Sequence, residues 1–177
     1  MLHIVEGPDG SGKTWLAEML AKNLLHTYIL KQGFRPRRGT EAEQVMLKAS
    51  YATMLDIYLL HVLPHGKNMI FDRYFPSEIA YAPVMRGYDA YEELFYHRLE
   101  QKILALDHIL WYVECPLDEI AHRFKLRGED FVNIEQVRAI MENYEKFLAK
   151  TQLNVKRIKS GSDEAHDWIK TENQRVS

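Results

Sequence analysis

Eight residues near the amino terminus have the types and spacing of a phosphate-binding loop, a glycine, four residues and then Gly-Lys-Ser/Thr. Glycines let backbone N–H groups turn inward around an anion, and a following helix adds the positive end of its dipole. Lys13 can then reach the terminal phosphates of a nucleotide, and the Thr14 hydroxyl can hold Mg2+. We predict an ATP site at Gly7, Pro8, Asp9, Gly10, Ser11, Gly12, Lys13 and Thr14.

The alternative for this stretch is a glycine turn that caps a helix and binds nothing. Its flanks favour the phosphate loop, because the motif needs a strand before it and a helix after it. Leu2, Ile4 and Val5 indicate a short buried strand. Apolar residues then recur at helical spacing at Trp15, Leu16, Met19, Leu20, Leu24 and Leu25.

A second group of charged residues, Asp72 and Arg73, follows the apolar stretch Asn68 to Phe71. A carboxylate at the end of a strand suits a Mg2+ site opposite Thr14, where it would act through water. Phosphoryl transfer also needs cations around the moving group, which Arg73 can supply. The alternative is an Asp-Arg turn whose charges face water.

A third group predicts a lid over about residues 123–131. Arg123 and Arg127 lie four apart and share one helix face, with Lys125 between them. Gly128-Glu129-Asp130 offers a flexible break, so the cations could close over the phosphates and exclude water. The alternative is a helix carboxyl end that favours cations because of its dipole.

A basic loop, residues 31–40, carries four cations within eight residues, at Lys31, Arg35, Arg37 and Arg38. Arginine binds phosphate through two parallel hydrogen bonds, so the loop could hold an anionic acceptor. The alternative is an exposed loop without a specific role. No acidic residue precedes Glu41 in this segment, which matters because a neutral hydroxyl acceptor would need a carboxylate as general base.

Secondary structure must bring these groups of residues together. The sequence predicts strands that alternate with helices. Predicted strands are residues 2–5, 27–30, 68–71, 108–114 and 153–158. Predicted helices are residues 13–26, 41–63, 77–85, 89–106, 116–127, 134–150 and 162–171. Alternation predicts an α/β fold of the P-loop NTPase kind, with a five-stranded parallel sheet and helices on both faces. Ligands of such folds collect at the carboxyl ends of the strands.

Composition is consistent with one domain over residues 1–177. The chain is 46% hydrophobic with a formal charge of −2, so no overall basic excess indicates nucleic-acid binding. The single cysteine, Cys115, excludes an internal disulfide. We find neither an apolar run long enough to span a membrane nor a signal peptide, and we expect a cytoplasmic protein.

The motifs resemble those of thymidylate kinases. Val5-Glu6-Gly7-Pro8-Asp9-Gly10-Ser11-Gly12-Lys13-Thr14 is similar to that family's Ile-Glu-Gly-x-Asp-Gly-x-Gly-Lys opening. Phe71-Asp72-Arg73-Tyr74 resembles its Asp-Arg-His/Tyr motif, and Tyr81 falls where the family has a tyrosine in the nucleoside pocket.

Later segments extend the resemblance over most of the chain. Tyr112-Val113-Glu114 with Pro116, followed by Arg123 to Glu129, is similar to the family's strand-to-lid segment. Arg35-Pro36 with Gly39-Thr40 partly resembles the Arg-Glu-Pro-Gly-Gly-Thr loop that holds the acceptor phosphate.

The resemblance implies transfer of the ATP γ-phosphate, with Mg2+, to a pyrimidine deoxynucleotide. It places Asp9 near the acceptor sugar, Arg35 and Arg73 at the acceptor phosphate, and Arg123 and Arg127 around the transition state. Family members often dimerise through helices, so a homodimer is one option.

Two departures leave the base open. Arg35-Pro36-Arg37 stands where the family has Arg-Glu-Pro, and Ser50-Tyr51-Ala52-Thr53-Met54 lacks the arginine of Phe-Tyr-Ala-Ala-Arg, which reads thymine. Alternatives are a deoxynucleoside kinase, a kinase acting on a nucleotide within DNA or at a nucleic-acid end, and a non-catalytic nucleotide-binding module.

Overall fold

A five-stranded parallel sheet forms the centre of the protein. The computed structural model describes residues 1–34, 38–128 and 132–176. The strands run in the order β2-β3-β1-β4-β5, and every neighbouring pair is parallel. Their bounds are β1 Leu2–Glu6, β2 Thr27–Lys31, β3 Asn68–Asp72, β4 His108–Glu114 and β5 Val155–Lys159. The predicted α/β fold with five parallel strands is confirmed.

Seven α-helices are described between and after these strands. They are α1 Lys13–Asn23, α2 Glu41–Ile57, α3 Phe75–Met85, α4 Leu94–Leu104, α5 Leu117–Arg127, α6 Ile134–Leu148 and α7 Glu164–Val176. A π-helical turn, Tyr58–Val62, and a 3-10 turn, Leu63–His65, extend α2. None of the helices in the described ranges is long and apolar enough to cross a membrane.

The predicted helix over residues 89–106 begins later than expected. Residues 89–93 form turns, and α4 starts at Leu94. The Asp89 carboxylate accepts a hydrogen bond from the Tyr91 backbone N–H at 2.9 Å. An aspartate side chain that bonds a nearby backbone N–H in this way competes with helix formation. This contact explains why the helix starts at Leu94 instead of residue 89.

Helices cover both faces of the sheet because alternate side chains of each strand point in opposite directions. Ile4 packs in a core with the inner faces of α2, α3 and α4, whereas Val5 packs in a second core with α1 and α7. All of β1 is buried, as expected for a central parallel strand.

Two helices begin with capping boxes that their sequences encode. The Thr40 hydroxyl accepts from the Glu43 N–H at 3.3 Å, while Glu43 accepts from the Thr40 N–H at 3.2 Å. Asn133 and Gln136 make the same reciprocal pair at the start of α6, both at 2.9 Å. These caps satisfy the first N–H groups of α2 and α6.

All five strands end at the same edge of the sheet, at Glu6, Lys31, Asp72, Glu114 and Lys159. The predicted phosphate loop leaves β1 at the middle of this edge, between β3 and β4. The fold therefore collects the predicted functional segments in one region.

Candidate functional site

The phosphate loop is packed too closely for other residues at two of its glycines. Gly7 has φ 145°, and a Cβ there would lie 2.8 Å from the Val113 backbone oxygen. Gly12 caps α1 in the left-handed region with φ 98°, and a Cβ would lie 3.1 Å from Ser160 Oγ. Glycine is needed at both positions, because a side chain would be strained there and would collide with the ends of neighbouring segments.

Lys13 is buried at the start of α1, and its Nζ donates to the Pro8 backbone oxygen at 2.5 Å. Burial, and to a smaller extent the nearby Arg73 guanidinium, lower the pKa of Lys13 to about 7, against the raising effect of the surrounding carboxylates Asp9, Glu6 and Asp72. An anion placed beside this amine would favour its charged form.

Thr14 and Asp72 have the chemistry that Mg2+ prefers, a hydroxyl and a carboxylate oxygen. Thr14 is exposed in the first turn of α1. Asp72 is buried at the end of β3, where its Cα partners Val5 of β1, so both groups belong to the same edge of the sheet. Lys31 Nζ lies 3.2 Å from Asp72 Oδ2 and is the cation that this carboxylate contacts. The two ligands fit a site that water and nucleotide oxygens would complete.

Arg73 joins the predicted residues Asp9 and Tyr81 in one cluster. Its Nη2 contacts the Asp9 carboxylate and donates to Tyr81 Oη at 3.2 Å, and the Tyr81 ring centre lies 4.9 Å from the guanidinium carbon. Its Nη1 donates to Ser77 Oγ at 3.2 Å. Arg73 has φ 71°, an unfavourable backbone conformation for arginine that is typical of functional sites.

Glu6 holds this cluster in place, a role that its position as an acidic residue at the end of a buried strand did not predict. Its carboxylate is buried and accepts from the Tyr74 N–H at 2.7 Å, Ser77 Oγ at 2.5 Å and Tyr144 Oη at 2.8 Å. Burial raises the pKa of Glu6. Because Tyr74 and Ser77 begin α3, Glu6 sets the position from which Arg73 enters the site.

A cleft opens beside Arg73 and Asp9. Its walls include the side chains of Phe34, Tyr51 and Tyr81. These aromatic walls suit a flat ring.

A buried ion pair also lines this cleft. Arg86 donates from Nε to Glu78 Oε1 at 3.2 Å and contacts Oε2 through Nη2, and the Tyr88 hydroxyl donates to the same carboxylate. Both charged side chains are at most 5% exposed. Sequence reasoning missed the pair, because residues eight apart are not neighbours on a helix surface and Arg86 follows the end of α3.

Arg123 lies against the phosphate loop, as expected for a residue near the donor. Its Nη1 donates to the Gly10 backbone oxygen at 2.6 Å, and its Nη2 donates to Ser160 Oγ at 3.0 Å and contacts Glu119. Arg127 is exposed in the last turn of α5. Of the predicted lid, residues 123–127 are helical, and residues 129–131 lie outside the described residues.

Three residues of the basic loop, 35–37, lie outside the described residues. Arg35 and Arg37 are among them, so the acceptor role expected for Arg35 stays a prediction. Arg38 is exposed, and its backbone N–H donates to the Glu43 carboxylate at 2.9 Å.

The parallel sheet with a phosphate loop after its central strand is the architecture of P-loop NTPases. A probable thymidylate kinase of Pyrococcus horikoshii is 30% identical over 173 residues, covering 81% of this chain and 80% of that protein. A thymidylate kinase of Leptospira borgpetersenii is 26% identical over 183 residues, covering 91% and 87%. The chain belongs to the thymidylate kinase-like family of P-loop nucleotide kinases, which is related to the deoxynucleoside kinases.

Solved structures share the fold. The YorR protein of Bacillus subtilis, solved with phosphorylated GDP, matches with a TM-score of 0.74 at 22% identity over 99% of this chain and 95% of that one. Deoxyadenosine kinase of M. mycoides, solved with dCMP and dCDP, matches with a TM-score of 0.66 at 17% identity, covering 99% and 98%. No protein-family model matches the chain. Its relatives support nucleotide kinase activity and imply a nucleotide as phosphoryl donor.

Proposed function

We propose that this protein transfers the γ-phosphate of ATP to a (deoxy)nucleoside monophosphate, a thymidylate-like pyrimidine nucleotide. The observation that carries the proposal is the position of Arg73, which lies between the phosphate loop and the aromatic-walled cleft and bonds Asp9 and Tyr81. A guanidinium at this boundary suits an acceptor phosphate that must meet the donor.

On the donor side, the phosphate loop binds the nucleotide, and Lys13 and Arg123 neutralise charge on the transferring group. Both contact the loop itself, through Pro8 and Gly10. Arg127 joins them when it reaches the phosphates. Such preorganised cations act where charge is spread over the phosphoryl oxygens.

Thr14 and Asp72 would hold Mg2+, Asp72 through water. A bound Mg2+ would supply positive charge that partly neutralises the donor phosphates. Lys31 Nζ contacts Asp72 Oδ2 at 3.2 Å, so a cation already lies beside this candidate ligand.

On the acceptor side, Arg73 binds the acceptor phosphate, with Arg35 as a second predicted cation. Asp9 lies near the sugar, and the rings of Phe34, Tyr51 and Tyr81 offer stacking surfaces for the base. The Glu78–Arg86 pair offers donors and acceptors for a base edge.

A deoxynucleoside kinase is the main competitor, and it needs a free carboxylate to take the hydroxyl proton. Both carboxylates that line the described part of the cleft face arginines, Asp9 with Arg73 and Glu78 with Arg86. Glu43 serves the capping box of α2. These pairings support a nucleotide acceptor.

The test is Mg2+-dependent ADP formation from ATP with nucleoside monophosphates, nucleosides and DNA as acceptors, in the wild type and in Arg73→Lys. Lysine keeps the charge but loses the forked geometry, so we expect the KM of the monophosphate to rise about tenfold while the KM of ATP changes less than about twofold. Arg138→Lys on the exposed face of α6 is the matched control. Equal rises in both KM values would refute the role of Arg73, and turnover of nucleosides or DNA alone would refute the proposed acceptor.

A further inference from the structure

Gln32 is one of the residues that line the aromatic-walled cleft. It is the first residue after β2, and its backbone N–H donates to the Asp72 backbone oxygen at 3.3 Å. Asp9 and Arg73 line the same cleft. Gln32 therefore shares the cleft with the arginine that is proposed to bind the acceptor phosphate.

The amide of Gln32 has a defined orientation. Its Oε1 accepts from the Phe34 backbone N–H at 3.4 Å and from Ser50 Oγ at 2.9 Å. A backbone N–H can only donate, so the oxygen must face Phe34 and the NH2 group must point elsewhere.

That NH2 group is unsatisfied. Gln32 Nε2 is buried and has no hydrogen-bond partner within the part of the chain that the structure describes. Buried donors are normally paired, and one without a partner in a binding cleft is a candidate for pairing with the ligand. The acceptor oxygen of a substrate would complete it.

The chemistry of an amide limits which acceptor it can serve. A hydroxyl acceptor must lose its proton to a base during transfer, and an amide cannot take that proton. A phosphate acceptor is already an anion, so hydrogen-bond donors stabilise it and no base is needed. The acceptor oxygen forms a bond to the γ-phosphorus of ATP. The bond between this phosphorus and the oxygen that bridges the β- and γ-phosphates breaks, and ADP leaves with that electron pair.

We propose that Gln32 Nε2 donates to the acceptor's phosphate and thereby selects nucleoside monophosphates over nucleosides. The inference rests on the proposed function, because it takes the cleft as the acceptor site. Glutamine is the isosteric amide of glutamate, so a carboxylate in its place would repel a phosphate and could serve a hydroxyl as base.

The experiment compares Gln32→Glu and Gln32→Leu with the wild type on matched pairs that differ only by the phosphate, such as dTMP and thymidine, for each of the four bases. We expect Gln32→Glu to lower kcat/KM for the monophosphate about a hundredfold and to raise turnover of the nucleoside, since a carboxylate replaces a donor. Gln32→Leu should cost about tenfold for the monophosphate without any gain for the nucleoside. Gln101→Glu, on the exposed face of α4, is the control with the same change of charge.

Binding is measured in parallel by titration calorimetry, so that the inference and the proposed function can fail separately. A monophosphate-to-nucleoside ratio that stays within about twofold of wild type in both Gln32 variants would overturn the role of Gln32. If monophosphates bind in a Gln32-dependent manner but none is phosphorylated, the proposed function fails and the binding role stands. If no monophosphate binds, both fail. The melting temperature of each variant shows whether it is folded. If Gln32→Glu does not fold, the monophosphate-to-nucleoside ratio of Gln32→Leu decides the role of Gln32.

Discussion

At the residue scale, two cations, Lys13 of the phosphate loop and Arg73 of the cleft, lie close enough for their charges to interact. Their mutual repulsion contributes to the lowered pKa of Lys13, and the carboxylates of Glu6, Asp9 and Asp72 hold the pair together. A phosphate that enters between them would stabilise both charges at once.

Lys13 makes the stability of the free protein depend on pH. Its pKa falls from 10.5 to about 7 on folding, so the unfolded chain binds more protons between these values and the free energy of unfolding rises with pH across that window. The rise amounts to a few kcal/mol at about 1.4 kcal/mol per pKa unit. We expect Lys13→Met to lose this rise, and also turnover.

Urea denaturation at pH 7 to 10.5 checks the prediction, with Lys22→Met, an exposed lysine of the same helix, as control. If the free energy of unfolding changed with pH equally in the wild type and in Lys13→Met, the lowered pKa of Lys13 would be contradicted.

Residues of the site were predictable where a local motif contains them. Lys13, Asp72 and Arg73 were found from the loop and from the end of an apolar strand. Glu6 was not, because its partner Tyr144 lies 138 residues away and only the packing of α6 brings it near. The unpaired NH2 group of Gln32 likewise could not be predicted, because its burial depends on contacts that no spacing rule describes.

At the scale of elements, α3 organises the acceptor side. Glu6 anchors its first turn, Arg73 precedes it, and Tyr81 and Glu78 project from it into the cleft. Helix α6 packs beside it and supplies Tyr144 to the same carboxylate. The geometry of the acceptor site thus depends on how firmly α6 is formed.

The cap of α6 is therefore expected to matter. Asn133→Ala removes the side-chain acceptor for the Gln136 N–H and should lower the free energy of unfolding by about 1 kcal/mol. Asn133→Ser keeps a capping oxygen and should lose only a few tenths of that value. Chemical denaturation of both variants checks this, and equal losses would show that the capping bond is not the cause.

At the scale of the whole molecule, a cluster of three aromatic rings packs on the α7 side of the sheet. His3 of β1 contacts both Trp111 and Trp168, and the Trp111 Nε1–H donates to His3 Nδ1 at 3.1 Å. Lys156 Nζ lies 4.9 Å from the centre of the Trp168 ring. The strands and helices of this layer were predicted from periodicity, but the strand order and this cluster were not, because they depend on contacts between distant segments.

The buried His3 should make the fold sensitive to acid. Burial lowers the pKa of His3 from 6.5 to about 3, and the charge of the amino terminus adds to the effect. The unfolded chain then binds more protons between these values, so stability falls as the pH drops from 6.5 towards 3.

His3→Phe is expected to weaken this acid dependence, although it leaves the Trp111 N–H unpaired at neutral pH at a cost of about 1–3 kcal/mol. Stability measured from pH 7 to pH 4, with the exposed His61→Phe as control, checks the difference in slope. An unchanged slope in His3→Phe would contradict a neutral buried imidazole.

The distribution of tryptophans gives the protein an optical property. Trp111 and Trp168 pack against each other in the core below α7, with ring centres 4.9 Å apart, whereas Trp15 directly follows Thr14 and is 42% exposed. We expect the fluorescence of Trp15 to change when a nucleotide binds the adjacent phosphate loop, over the signal of the two packed tryptophans. Such a change would allow donor binding to be timed by intrinsic fluorescence, without any label.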